Sequence, residues 1–133
     1  MNDLGKKSLL TLACTVFAYC QGIINELFVI FAGLTILDYI TGSIAAILNK
    51  KWTKQKAVQG IFEKAGFFIL FLLTASLDFS VTYIGEKVME GFSTGAIFTT
   101  ALSIWLIGTE GKSNLNNLRE WGTKVPKFLT QGF

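Results

Sequence analysis

Residues 31–48 read FAGLTILDYITGSIAAIL, an oily run with one aspartate, Asp38, at its centre. On the scale of membrane insertion a central aspartate costs roughly +2.5 to +3.5 kcal/mol, while each Leu, Ile, Phe or Val returns about −0.3 to −0.6. Residues 27–48 contain twelve of these four types, which sum to roughly −5 kcal/mol, so the segment inserts in spite of Asp38. It is also long enough, because a crossing takes about 20 residues. The stretch therefore reads as a transmembrane helix that carries a carboxylate for a reason.

Working outward, the charges are unevenly placed. None lies between Lys7 and Glu26, one between Glu26 and Lys50, one between Lys64 and Glu86, and none between Glu90 and Glu110. The four charge-poor blocks, residues 8–24, 27–48, 65–84 and 92–108, predict an all-α integral membrane helical bundle with four transmembrane helices. A mean hydropathy of +0.50 agrees with a membrane location. Residues 1–112 form the expected transmembrane domain and residues 113–133 a cytoplasmic amphipathic tail.

Eleven of the twelve basic residues flank the blocks on one side of a four-crossing topology, and Lys87 alone falls on the other. This bias predicts that both termini lie in the cytoplasm. The first turn is the alternative joint, since CQGIINE offers only Gly22, Asn25 and Glu26 as a break. An amino-terminal helix lying in the interface, followed by three crossings, is the second topology. Lys6 and Lys7 before an apolar run also suit a signal peptide, but Tyr19 is bulky for a cleavage site at FAYC, so the segment reads as a retained anchor.

Composition narrows the chemistry. Histidine is absent, which removes the commonest metal ligand and the usual base near neutral pH. Cys14 and Cys20 would stand roughly 9 Å apart along one helix, beyond disulfide reach, and read as small buried residues. No metal site, cofactor or catalytic array is expected. The lysine clusters lack the interleaved aromatics that stack on bases, so no nucleic-acid partner is expected either.

The polar residues inside the blocks are the candidate functional positions. Asp38, Thr41 and Gly42 share a face of the second helix with Ala45 and Asn49, and Thr74 and Asp78 align with Thr82 on the third. Both stripes are expected to turn away from lipid, and three roles are open to their carboxylates: buried hydrogen-bonding groups that fix packing, a pore lining or intersubunit surface, or proton- or ion-coupling sites. Gly91, Gly95, Thr99 and Ser103 recur every four residues and predict a ladder for close helix packing. Asp38 is expected near the bilayer midplane. Beyond the fourth block Ser113 is expected to cap a short helix bearing Leu115, Leu118 and Trp121, which Gly122 and Pro126 stop.

These residues carry a resemblance. The element Asp38-x-x-Thr41-Gly42, the lysine-rich loop from Lys50 to Lys64, and a following span that ends near Asp78 resemble the phage lysis and toxin-secretion holin family. The tail is similar too, through Asn117, Leu118, Gly122 and the run Pro126-Lys127-Phe128-Leu129. The likeness covers about residues 27–129 and lies in the order and spacing of the elements. It implies a non-enzymatic protein that collects in the bilayer, assembles as a large homo-oligomer and opens lesions through which a cell-wall hydrolase or toxin leaves. Two other readings of the residues stand beside it: a small ion or solute channel or transporter, and a membrane scaffold that recruits a hydrolase without making a hole.

Overall fold

The computed structural model describes residues 2–23 and 25–131, and for residues 16–23 the backbone alone. Among them are five helices: α1 (Asp3–Ile23), α2 (Glu26–Leu48), α3 (Lys54–Val88), α4 (Ile97–Glu120) and the short α5 (Lys127–Gln131). The described side chains of α1, including Cys14, are exposed apart from Gly5. Cys14 is therefore not the small buried residue expected, and Cys20 lies outside the described side chains.

Local signals set the helix ends. Asn25 caps α2 by accepting from the Phe28 N–H at 3.0 Å, and Thr53 caps α3 by accepting from the Lys56 N–H at 3.2 Å. The α2 end closes with Lys50 N–H on Ile47 O and Lys51 N–H on Ala46 O, which puts Lys50 at φ 55°. The α4 end repeats this geometry, with Gly122 N–H on Arg119 O and Thr123 N–H on Leu118 O. There a glycine holds the left-handed position, at φ 91°.

α4 is the central element and packs along both α2 and α3. Its residue pairings run parallel to α2 (Leu34 with Asn114, Thr41 with Trp121) and antiparallel to α3 (Lys64 with Glu110, Asp78 with Thr99). α2 and α3 meet chiefly through Phe28 and Phe31 against Phe68 and Phe71, with ring centroids 4.9 to 6.4 Å apart. Such edge-on and offset pairs add about 0.5–1.5 kcal/mol each beyond burial.

Burial is inverted relative to a soluble domain. The buried apolar side chains described are Phe31, Ala45, Phe71, Ala75 and Leu106, whereas Thr35, Asp38, Thr41, Asp78, Thr99, Ser103, Glu110 and Asn114 are buried polar ones. The outside is oily: Ile36 and Leu73 are 61% and 62% exposed, and Ile30, Ile69, Phe79 and Ile104 lie open in the same way. An interior that hydrogen-bonds and an exterior of Leu, Ile and Phe suit hydrocarbon as solvent. The fold is an all-α membrane bundle, as its composition predicts.

The expected span boundaries are corrected in two places. Among the described residues, α2 and α3 are the helices long and apolar enough to cross a bilayer. The fourth block does not form a helix over 92–108: α4 starts at Ile97 and continues through the polar sequence to Glu120. Its apolar part, residues 97–108, rises about 18 Å, short of a core about 30 Å thick. Ser113 accordingly lies inside α4 and starts no separate tail helix. The expected first span ends within residues whose side chains lie outside the description.

Candidate functional site

Asp38 is the thirteenth residue of α2, Lys64 the eleventh of α3 and Glu110 the fourteenth of α4. Their side chains converge inside the bundle. The Lys64 ammonium pairs with Asp38 Oδ2 and donates to both Glu110 carboxylate oxygens at 2.9 Å. Glu110 is 1% exposed and Asp38 7%. One cation thus holds two carboxylates, and a buried pair with its donors satisfied is stable while intact and costly to break.

The cluster continues toward the carboxyl end of α4 through hydrogen bonds of amide, hydroxyl and indole groups. Asn117 Nδ2 donates to Asp38 Oδ1 at 2.8 Å and to Thr41 Oγ1 at 2.9 Å. Asn114 Nδ2 donates to Leu34 O at 3.0 Å, Thr41 Oγ1 donates to Asn114 Oδ1, and Trp121 Nε1 donates to Thr41 O at 3.1 Å. Gly42 allows this approach, since a Cβ there would stand 3.3 Å from Asn117 Nδ2. Among the described residues no buried side-chain nitrogen or oxygen lacks a partner.

Asp78 sits in a second place with different chemistry. The first residues of α4 have no side-chain cap of their own. Asp78 reaches across from α3 and accepts from Phe98 N–H at 3.0 Å, Thr99 N–H at 2.8 Å and Thr99 Oγ1–H at 2.6 Å. A carboxylate at a helix start satisfies otherwise unpaired N–H groups and meets the positive end of the helix dipole. The preceding turn, residues 89–96, folds back on α3, with the Phe92 ring on Gly85 and the Thr94 hydroxyl 3.2 Å from that of Thr82.

Asp38, Thr41 and Gly42 come together as the spacing implied, and their partners are within the same chain. Thr74 joins neither cluster, because its hydroxyl bonds back to Phe71 O at 2.9 Å in its own helix. The four-residue ladder is corrected: Gly91 and Gly95 lie in the turn before α4, at φ 79° and 60°, and only Thr99 and Ser103 stand on the helix. Asp38 is level with Lys64 and Glu110, which border the apolar runs of α3 and α4, and not with the middle of those runs. Sequence reasoning missed Glu110 and Asn114, and placed Lys64 in the loop, Asn117 in the family likeness and Trp121 on the tail helix, none of them in the site. A signal was present: Glu110, Asn114, Asn117 and Trp121 recur at three- and four-residue steps, one helical face.

The model of the bacteriophage holin family matches residues 15–133. The chain belongs to that family. No curated protein and no solved structure matches it. Membership and the inverted burial agree: this holin-family chain associates with lipid, and its buried side chains are mostly polar ones.

Proposed function

We propose that this holin-family protein acts by self-association in the bacterial plasma membrane, opening lesions that release a folded cell-wall hydrolase or toxin. The observation that carries the reading is the network Asp38–Lys64–Glu110 with Asn114, Asn117 and Thr41, closed within one protomer of a family whose name denotes holes. The closed protomer is then the resting state. Parting α2 from α4 bares a stripe of carboxylates, amides and hydroxyls that suits water and not lipid. In an assembly the stripe of Asp38, Thr41 and Gly42 turns to a neighbouring copy or to the lumen, while Asp78 keeps α4 attached to α3. Thr99 and Ser103 then serve the α3–α4 contact, and contacts between copies fall to the oily outer faces.

Size requires many copies. A cargo of ~200 residues has a radius of gyration near 16 Å and so a diameter of about 43 Å. At ~10 Å per helix its enclosure takes on the order of 13 helices. In this reading both termini are cytoplasmic, in keeping with the one-sided lysines, which requires α1 and α4 to cross as well, α4 with its polar half shielded by α2 and α3.

The test is a locked protomer. Cysteines replacing Gly42 and Asn117, in a chain with Cys14 and Cys20 changed to serine, oxidise to a bridge between α2 and α4. In liposomes loaded with markers of graded size, the oxidised protein is expected to release nothing and the reduced protein to release folded-protein markers. Equal release in both states would sink the opening step. Release of small dyes alone from the reduced protein would make it a channel.

A further inference from the structure

Beside the charge network, α2, the turn at residues 49–53 and the start of α3 enclose a cavity of about 230 Å³. Lys51 and Lys56 line it together with Ser43, Ser113, Trp52 and Glu63. Among the described residues neither Lys51 nor Lys56 has an ion-pair partner, and the Ser113 hydroxyl makes no hydrogen bond. Lys64 and Asp38 also border the cavity, and Lys64 is shared with Glu110 behind them. Glu63 and the second carboxylate on Lys64 offset the formal charge of Lys51 and Lys56, so what the walls offer an anion is two ammonium groups without ion-pair partners among the described residues. The wall also includes Thr53, the cap of α3, so the positive end of a 35-residue helix adds to them.

We infer that this cavity binds the phosphate of an anionic phospholipid headgroup. The two ammonium groups and the helix start supply the countercharge, and the Ser113 hydroxyl is free to donate to the headgroup, whereas the Ser43 hydroxyl already donates to Tyr39 O at 2.7 Å. The surroundings favour a lipid over a soluble phosphate. Trp52, 48% exposed, is the type of side chain that anchors at the headgroup level. The oily outer face of α2, with Ile40, Ile44 and Ile47 exposed, leads away from the cavity and offers a path for acyl chains. Basic pockets between membrane helices at the cytoplasmic side are a recurrent form of lipid headgroup site.

The full chain is reconstituted in phosphatidylcholine bilayers containing a rising fraction of spin-labelled phosphatidylglycerol, and the motionally restricted label per chain gives the association. Saturation at one lipid per chain is expected. The double substitution Lys51→Gln/Lys56→Gln is expected to weaken association at least tenfold, and Lys124→Gln/Lys127→Gln, which removes the same charge, to change it less than twofold. Ala46→Phe, which fills the cavity without changing charge, is expected to weaken it as the first pair does. Equal losses from the two lysine pairs would reduce the effect to diffuse surface charge and overturn the site, as would an Ala46→Phe protein with normal helicity and unaltered association. Displacement of the label by inorganic phosphate would assign the cavity to a soluble anion and overturn the lipid.

Discussion

Asp38 and Asp78 are two buried carboxylates in neighbouring helices, and the bundle accommodates them by different means. Asp38 meets a cation that it shares with Glu110, plus an amide from Asn117. Asp78 meets no cation among the described residues; two backbone N–H groups and one hydroxyl satisfy it. The first arrangement has one long-range partner on each of two other helices, so it depends on three elements keeping their places. The second caps a helix across a single hairpin and survives as long as α3 and α4 stay together. The charged site is therefore the part of the fold that a change in packing disturbs first, and the Asp78 site is a hinge pin.

The comparison breaks most directly at Lys64. Lys64→Met leaves Asp38 and Glu110 buried without their cation, with an expected loss of about 3–5 kcal/mol, measured as unfolding in mixed micelles followed by circular dichroism. Glu110→Gln leaves one carboxylate to one ammonium and is expected to stay within about 1 kcal/mol of the parent. If both variants cost the same, Glu110 is an equal partner and the picture of one cation over-subscribed by two carboxylates is wrong.

At the other site, Asp78→Leu strips the cap and strands the Thr99 hydroxyl, for an expected loss of about 2–4 kcal/mol. Asp78→Asn keeps one acceptor and is expected to lose about half of that. Added salt should leave the Asp78→Asn difference unchanged, because the partners are dipoles in a dry site. A marked salt dependence would mean that an ion faces Asp78.

Smaller effects sharpen the hinge. Gly85→Ala places a methyl group into the Phe92 ring, so it is expected to destabilise by about 1–3 kcal/mol. Adding Phe92→Ala should recover part of the loss if the turn packs as described, and unfolding of the double variant checks it. Lys50→Gly puts glycine at the left-handed position that Gly122 occupies at the equivalent end of α4. It is expected to stabilise by about 0.5–1 kcal/mol, read as a small rise in melting temperature.

Much of the architecture was legible. The runs that became α2 and α3 are long, apolar and bounded by caps, and the Asp38-Thr41-Gly42 face follows from helical period alone. The fourth helix was misplaced for two reasons. Glycines at 91 and 95 have the spacing of a packing ladder, yet the same residues also supply the positive φ of a turn, and one-dimensional spacing does not separate the two. Ser113 has the chemistry of a cap, but inside α4 the helix continues because Asn114 and Asn117 find acceptors on α2 that local sequence does not reveal. Lys64 reads as one more loop charge from sequence because it precedes the apolar run, whereas α3 already starts at Lys54.

Hydrophobic length and the one-sided placement of lysine are properties of the chain taken segment by segment, and they determined that this protein is helical, lies in a membrane and carries two carboxylates that need shelter. Which groups provide that shelter was decided by the register between helices. A shift of one turn, about 5.4 Å, would carry Lys64 past Asp38 and leave both aspartates without their partners, and no local pattern encodes that alignment. It arises only when aromatic packing, the cap on α4 and the three-charge cluster are satisfied in the same arrangement.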